Sequence, residues 1–206
     1  MKKYFYIKCI LDFIFALSAI LVIWPILLII AILIKLESKG PVFFLQERLG
    51  RNGSVFKIYK FRTMVDGAIN LGSGLRTYEG DPRITKVGSF LRKTSLDELP
   101  QIFNILRGEM SFIGPRPPVP YYPRKYEDYS IEQKRRFMVR PGISGYAQVV
   151  LRNSGTWDER IKLDLEYVDR MSFLFDMSIF LKSIFVVLMR RNIYPTSNVR
   201  DFSKKL

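Results

Sequence analysis

Two adjacent carboxylates, Asp97 and Glu98, stand in the run Leu-Arg-Lys-Thr-Ser-Leu-Asp-Glu-Leu-Pro-Gln-Ile-Phe-Asn-Ile-Leu-Arg-Gly, from Leu91 to Gly108. Adjacent side chains cannot flank a sugar as a glycosidase pair must, because that pair stands several ångströms apart across the bond. Neighbours on a helix also point in different directions. They suit a division of labour: one carboxylate attacks phosphorus to form an acyl phosphate, and the other helps to hold a metal or steer a proton. Magnesium would screen a diphosphate that otherwise repels the incoming carboxylate. A purely structural reading is also open. Ser95 and Glu98 have capping-box spacing, acids are favoured at a helix N-terminus, and Pro100 suits a first turn.

Fixed positive charge for a diphosphate is plentiful. Lys57, Lys60 and Arg62 lie in Phe-Lys-Ile-Tyr-Lys-Phe-Arg-Thr-Met, and Arg92 and Lys93 precede the acidic pair. Arg116 is held between prolines in Gly-Pro-Arg-Pro, which limits its backbone and pre-organises a guanidinium fork. Taken singly, each of these cations is a solvated surface charge by default. Arg140-Pro141-Gly142-Ile143-Ser144-Gly145 is a tight turn after a basic residue. There Gly142 or Gly145 lets backbone approach a ligand, or the turn simply connects two elements. Tyr121, Tyr122 and Trp157 have rings that stack on a base or sugar, or that pack in a core or interface.

Composition narrows the chemistry further. The 206 residues carry a formal charge of +14 and no histidine. Ser-His and Cys-His catalysis and His-ligated zinc are therefore excluded. The charge calls for an anionic partner: nucleic acid, acidic headgroups or a phosphorylated substrate. Cys9 is the only cysteine, so no intramolecular disulfide forms. A metal, if used, should be a hard, oxygen-bound ion such as magnesium.

The elements that must position these groups begin with an apolar segment. Phe13 to Ile34 is 22 residues without a charge. A straight helix of that length rises about 33 Å, enough to span a bilayer. Pro25 sits inside it, where it removes a helical hydrogen bond and clashes with the preceding turn. Both flanks are basic, with Lys2, Lys3 and Lys8 before it and Lys35, Lys39, Arg48 and Arg51 after it, so both ends favour the cytoplasm. A kink at Pro25 leaves arms of about 22 Å and 16 Å, neither of which crosses a core of roughly 30 Å. A re-entrant helix entering and leaving by one face satisfies all of this.

Gly40-Pro41 breaks the chain. Pro41 to Gln46 and Val55 to Phe61 read as strands of a hairpin turned at Gly50-Arg51-Asn52-Gly53. Val65 to Asp81 reads as a mobile loop. Pro100 to Leu106 reads as helix stopped at Gly108, Met110 to Ile113 as a buried strand, and Pro115 to Pro123 as extended. Ile131 to Phe137 reads as a short charged helix. From Trp157 the pattern is helical, and Phe173 to Met189 suits a core or an interfacial helix ending at Arg190-Arg191, which would suit anionic headgroups. The expectation is α+β: a re-entrant membrane helix in residues 1–38, and a small mixed α/β catalytic domain with amphipathic interfacial helices in residues 39–206.

Several ordered runs closely resemble the small monotopic phosphoglycosyl transferases, the catalytic unit shared with larger bacterial sugar transferases. They are Gly40-Pro41-Val42-Phe43-Phe44 with Gln46 and Arg48, Lys60-Phe61-Arg62-Thr63-Met64, Asp97-Glu98-Leu99-Pro100-Gln101, Met110 to Pro117, and Arg140 to Gly145. The resemblance extends from Lys8 to about Asp176. It implies transfer of a sugar 1-phosphate from a UDP-sugar to undecaprenyl phosphate at the cytoplasmic face of the bacterial inner membrane, with release of UMP. It implies Asp97 as covalent nucleophile, Glu98 as its partner and magnesium (Mg2+) as cofactor, with Asp97 as the metal ligand. Lys60, Arg62, Arg92 and Arg116 fall where the family gathers charge around phosphate, and Arg140 joins them as a candidate substrate contact. Lys8 and Asp176 are implied to fasten the membrane helix to the C-terminal helices. The family often has Ser before the central proline, whereas here the pair is Trp24-Pro25. The larger members' extra domains are not found, so a minimal enzyme is expected, in contact with phospholipid bilayer and compatible with a homodimer. Two alternatives are a membrane-tethered nucleic-acid-binding protein, for which no binding motif is found, and a sugar-only transferase that releases UDP.

Overall fold

The computed structural model describes residues 3–71, 74, 77, 78, 80–151 and 155–188. Helix α1, Lys3–Glu37, contains Pro25 and is long and apolar enough to cross a membrane. Its helical run continues through Pro25. One stripe of α1 faces the protein. Phe5, Lys8, Asp12, Ala16, Ile30 and Ile34 are buried, and Ala19, Ile20, Ile23, Leu27 and Ala31 are partly so. Their spacing of three and four residues is that of a single helix face. The rest of the circumference is apolar and exposed, including Leu21, Val22, Trp24 and Leu36.

Strands β1, Phe43–Leu49, and β2, Val55–Phe61, form the expected antiparallel hairpin, with Phe43 opposite Phe61. The first strand starts two residues after Pro41, whose missing N–H suits a position outside the ladder. Helix α2, Lys86–Thr94, follows, then a 3-10 turn over Leu96–Gln101 that runs into helix α3, Ile102–Leu106. The short strand β3, Ser111–Ile113, is separated by helix α4, Ile131–Lys134, from its parallel partner β4, Gly142–Ser144. Helices α5, Tyr146–Leu151, α6, Trp157–Arg170, and α7, Phe173–Leu188, complete an α+β chain. Met189 and Arg190-Arg191, expected to end the last helix, lie outside the described residues.

The α1 stripe enters three of the four core clusters. Phe5 packs with Ile113, Tyr167 and Ile179; Ala16 with Ile58, Ile102 and Met110; Ile30 and Ile34 with Phe61 and Leu91. Buried Asn104 joins α3 to β2: its Oδ1 accepts from the Tyr59 N–H, and its Nδ2 donates to the Lys57 carbonyl. On α7, Leu174, Phe180, Leu181 and Phe185 are exposed, whereas Asp176 and Ile179 are buried.

Where the sequence suggested a mobile loop over Val65 to Asp81, the described part is tied down. Arg83 donates to the carbonyls of Ala68, Leu71 and Gly74 and pairs with Asp81 at 2.7 Å. Gly142 and Gly145 serve close backbone packing. A Cβ on either would stand 2.1 Å from Gly114 backbone, so these glycines let β4 and the residue after it approach the end of β3 closely.

The link implied between Lys8 and Asp176 is present: Lys8 Nζ lies 2.7 Å from Asp176 Oδ2 and 3.7 Å from Asp12 Oδ1. Tyr4 and Tyr167 donate their hydroxyls to Asp176, and the Phe112 N–H donates to Asp12. One ammonium thus serves two buried carboxylates, at the point where α1 meets α7. Lys8→Met leaves both without a cation, and thermal unfolding in detergent should show a loss of about 3–5 kcal/mol. Adding Asp176→Asn to that variant should restore part of the loss; a neutral single variant would show that the pair carries no stability.

Candidate active site

The acidic pair sits on the 3-10 turn that follows α2. Ser95 ends α2 in a left-handed conformation (φ 58°, ψ 16°), and its side chain caps neither element. The expected capping box is therefore absent, and the Glu98 carboxylate goes elsewhere. A non-glycine residue in this region is strained and turns the chain sharply. A 3-10 turn has three residues per revolution, so consecutive side chains diverge by about 120°.

Glu98 points to β2, where Lys60 Nζ bonds its Oε1 at 2.6 Å. Burial alone would raise this carboxyl, but Lys60, Arg116 and Arg48 outweigh it and hold Glu98 down at about 2. The side chain keeps 23% of its surface, so cations and not burial decide the direction. Asp97 makes no direct ion pair among the described residues. Burial, reinforced by the Glu98 charge, raises it from 3.8 to about 6 against the pull of Lys60 and Arg92. Two neighbours in sequence thus have opposite acid–base characters, the arrangement expected where two carboxyls take different roles.

The cations come from separate elements. Arg92, in the last turn of α2, donates from Nε to Thr63 Oγ1 at 2.8 Å and stands near Asp97. Arg116 lies in the proline-framed segment after β3. Its carbonyl accepts from Arg136 Nη2 at 2.9 Å, and Arg136 is itself locked to Asp164 on α6 at 2.6 Å. The neighbouring Pro117 and Pro118 carbonyls accept from Arg48 Nη1 and the Leu49 N–H of β1. The backbone that carries Arg116 is therefore pinned from both sides. Arg48, Ile58, Lys60, Glu98, Gln101 and Arg116 line a shallow, open cleft, completed by Pro117, Gly142 and Ile143. Asp97 stands beside this cleft and does not line it.

The structure brings Lys60, Arg92 and Arg116 to the carboxylate pair, and takes Arg62 and Arg140 elsewhere. Arg62 is buried and donates to the carbonyls of Ser38 and Lys39 and to Ser38 Oγ, clamping the chain as it leaves α1. Arg140 lies against Gly108 and close to Cys9. Lys57 and Lys93 are exposed. Tyr122 packs edge-on to Trp157, whereas Tyr121 is 61% exposed.

Sequence reasoning missed Arg48 and Gln101 in the cleft, and Arg136 with Asp164 beneath it. The signal for Arg48 was its two-residue spacing from Gln46, which puts both on one strand face. A charged residue in a short surface helix gave no sign that Arg136 would be buried.

No group of three or more Asp, Glu or Cys gathers among the described residues as a ready-made metal cage. Magnesium does not require one, since it is usually held by one or two carboxylates together with substrate phosphates and water. Asp97, without an ion pair of its own, fits that role, and Glu98 stands beside it.

Comparison with known proteins gives one consistent family. The profile of the family described as bacterial sugar transferase matches residues 3–190. A UDP-N-acetylgalactosamine-undecaprenyl-phosphate N-acetylgalactosaminephosphotransferase of Aeromonas hydrophila is 43% identical over 188 residues, which is 90% of this chain and 44% of that protein. The UDP-glucose:undecaprenyl-phosphate glucose-1-phosphate transferase of Escherichia coli (strain K12) is 38% identical over 89% of this chain and 40% of its own length. The exopolysaccharide production protein PSS of Rhizobium leguminosarum bv. phaseoli is 41% identical over 87% of this chain, and there the match covers 94% of the relative. The chain thus spans about two-fifths of the first two proteins and nearly all of the third. With its profile matched across α1, the acidic turn and the cleft, this chain belongs to the bacterial sugar transferase family.

Proposed function

We propose that this protein transfers a sugar 1-phosphate from a UDP-sugar to undecaprenyl phosphate, through a phosphosugar carried on Asp97. The observation that carries the reading is the split of the acidic pair: Glu98 is bonded to Lys60 at 2.6 Å and held low by the surrounding cations, while Asp97 has no ion pair among the described residues and burial raises it to about 6. The names of the Aeromonas and Escherichia relatives supply the substrate classes.

In the first step Asp97 attacks the phosphorus that bears the sugar, the bond to the bridging oxygen breaks, and UMP leaves. In the second, an oxygen of the lipid phosphate attacks the same phosphorus and displaces Asp97, giving a polyprenyl diphosphosugar. Arg92 and Lys60 offset the negative charge around Asp97, and Arg116 and Lys60 do so around Glu98. Magnesium, when bound at Asp97 with the substrate phosphates, supplies charge neutralisation.

The membrane placement rests on α1. One globular body covers both its first and last turns, and its other faces are apolar. A helix crossing the bilayer would carry its far end away from that body. We therefore place α1 as a re-entrant helix bent at Pro25, with the exposed apolar face of α7 at the interface and the site on the cytoplasmic face. A homodimer is compatible with this placement.

With detergent-held protein, magnesium and undecaprenyl phosphate, a UDP-sugar panel should yield UMP, and Asp97→Asn should lower its release at least about a thousandfold. UDP as the product would overturn the reading. Because an Asp raised above its unfolded value favours the fold at low pH and loses that contribution as pH rises through about 6, Asp97→Asn should unfold no earlier than wild type at pH 8.

The pH dependence follows from the same split. Asp97 must be ionised to attack, so UMP release in the first step should fall as pH drops through about 6. Glu98→Gln removes a charge that raises Asp97 and frees Lys60, so the residual activity should keep its acid limb displaced downward by about one unit or more. A limb that stays in place or moves up would sever the coupling between the two carboxyls.

A further inference from the structure

Arg48 has no part in the steps above, yet it lines the cleft. Its Nη1 donates to the Pro117 carbonyl at 3.0 Å and its Nη2 to Gln46 Oε1 at 2.6 Å, whereas Nε is buried without a partner among the described residues. Each terminal nitrogen keeps a second N–H. Burial and the neighbouring Arg116 charge together bring Arg48 down to about 10. Like-charged guanidiniums brought together away from water are costly unless an anion lies between them. The carboxylate on this side, Glu98, is already bonded to Lys60. Three cations therefore face one carboxylate, and the excess suits a phosphate dianion gripped by guanidinium forks.

Part of the cleft lining is apolar. Ile58 and Ile143 supply it, and both belong to the cluster in which Ala16, Ile20 and Ile23 of α1 are packed. Two apolar residues of the cleft lining thus pack in the cluster that holds α1, the helix that carries the large apolar surface. The cation nearest Asp97 that is not shared with the cleft, Arg92, comes instead from α2 and is braced by Thr63.

We propose that Arg48 and Arg116 form a paired guanidinium site for a phosphate monoester, and that its occupant is the terminal phosphate of the lipid acceptor. This rests on the transfer reaction proposed above. Donor diphosphate would then be handled chiefly by Lys60 and Arg92 at Asp97. Arg48 has two tasks: it binds the acceptor, and through the Pro117 carbonyl it positions Arg116.

Two-step exchange assigns each substrate its own kcat/KM, which separates the half-reactions. Arg48→Met and Arg48→Lys would be assayed with a UDP-sugar and undecaprenyl phosphate, with thermal unfolding as the check on folding. The acceptor's kcat/KM should fall at least tenfold further than the donor's in both variants, and Lys, which keeps the charge but not the fork, should recover only part. Should Arg48→Met not fold, Arg48→Lys carries the test. A loss confined to the donor, or equal for both substrates, would assign the pair to the diphosphate and overturn the acceptor site. Variants with wild-type kinetics would overturn the phosphate site altogether. Wild-type protein inactive with every UDP-sugar would overturn the transfer reaction and this site with it, whereas active wild type beside unaffected variants overturns the site alone.

Discussion

The ion pair between Lys60 and Glu98, at 2.6 Å, is the contact on which the site depends. It joins a β-strand to a 3-10 turn and decides which of two neighbouring carboxylates is spoken for. With Glu98 occupied, Asp97 is left half-buried, without an ion pair among the described residues and beside a fixed negative charge. Much of the catalytic body serves to keep that pairing. Asn104 holds β2 to α3 through the backbone on either side of Ile58, and Phe61 packs with Leu91 of α2. The left-handed turn at Ser95 then swings the acidic pair toward Lys60.

The same core is built on α1. A helix with apolar residues all round must be covered on every side by protein or lipid. Here protein covers one stripe, from Phe5 to Ile34, and three core clusters depend on it. Glu37, at the end of α1, accepts from the Lys86 and Val87 N–H groups at the start of α2, the helix that bears Arg92. Arg62 clamps the turn that follows. Under the proposed reading, the membrane helix is thus part of the scaffold that aims the site, and a lipid-borne substrate arrives along the wall that shapes the cleft.

The hairpin, the long apolar helix, the buried strand and the C-terminal helices were legible because each has local causes: alternation, apolar length, glycine stops and helical spacing. The acidic pair and Lys60, Arg92 and Arg116 were legible as chemistry. Long-range partners were not. Arg62 reads like Lys60, and a two-residue spacing would put both on one strand face, yet β2 ends at Phe61 and Arg62 turns to Ser38 and Lys39. Ser95 and Glu98 have the spacing of a capping box, but Lys60, 38 positions away, claims the carboxylate. Arg136 and Asp164 are polar residues in charged segments, and only tertiary packing shows that they lie buried under Arg116. Gly142 and Gly145 read as ligand-permitting or connecting, and their close approach to Gly114 backbone comes from another segment.

The central claim is that Asp97 carries the sugar phosphate between two substrates. The most direct measurement is the intact mass of the protein after incubation with magnesium and a turned-over UDP-sugar in the absence of acceptor lipid, followed by peptide mapping. The account predicts an increase of one phosphosugar, mapped to Asp97, lost on addition of undecaprenyl phosphate and never formed by Asp97→Asn. An unmodified chain, or an adduct on another residue, from protein that turns over the same donor would contradict it.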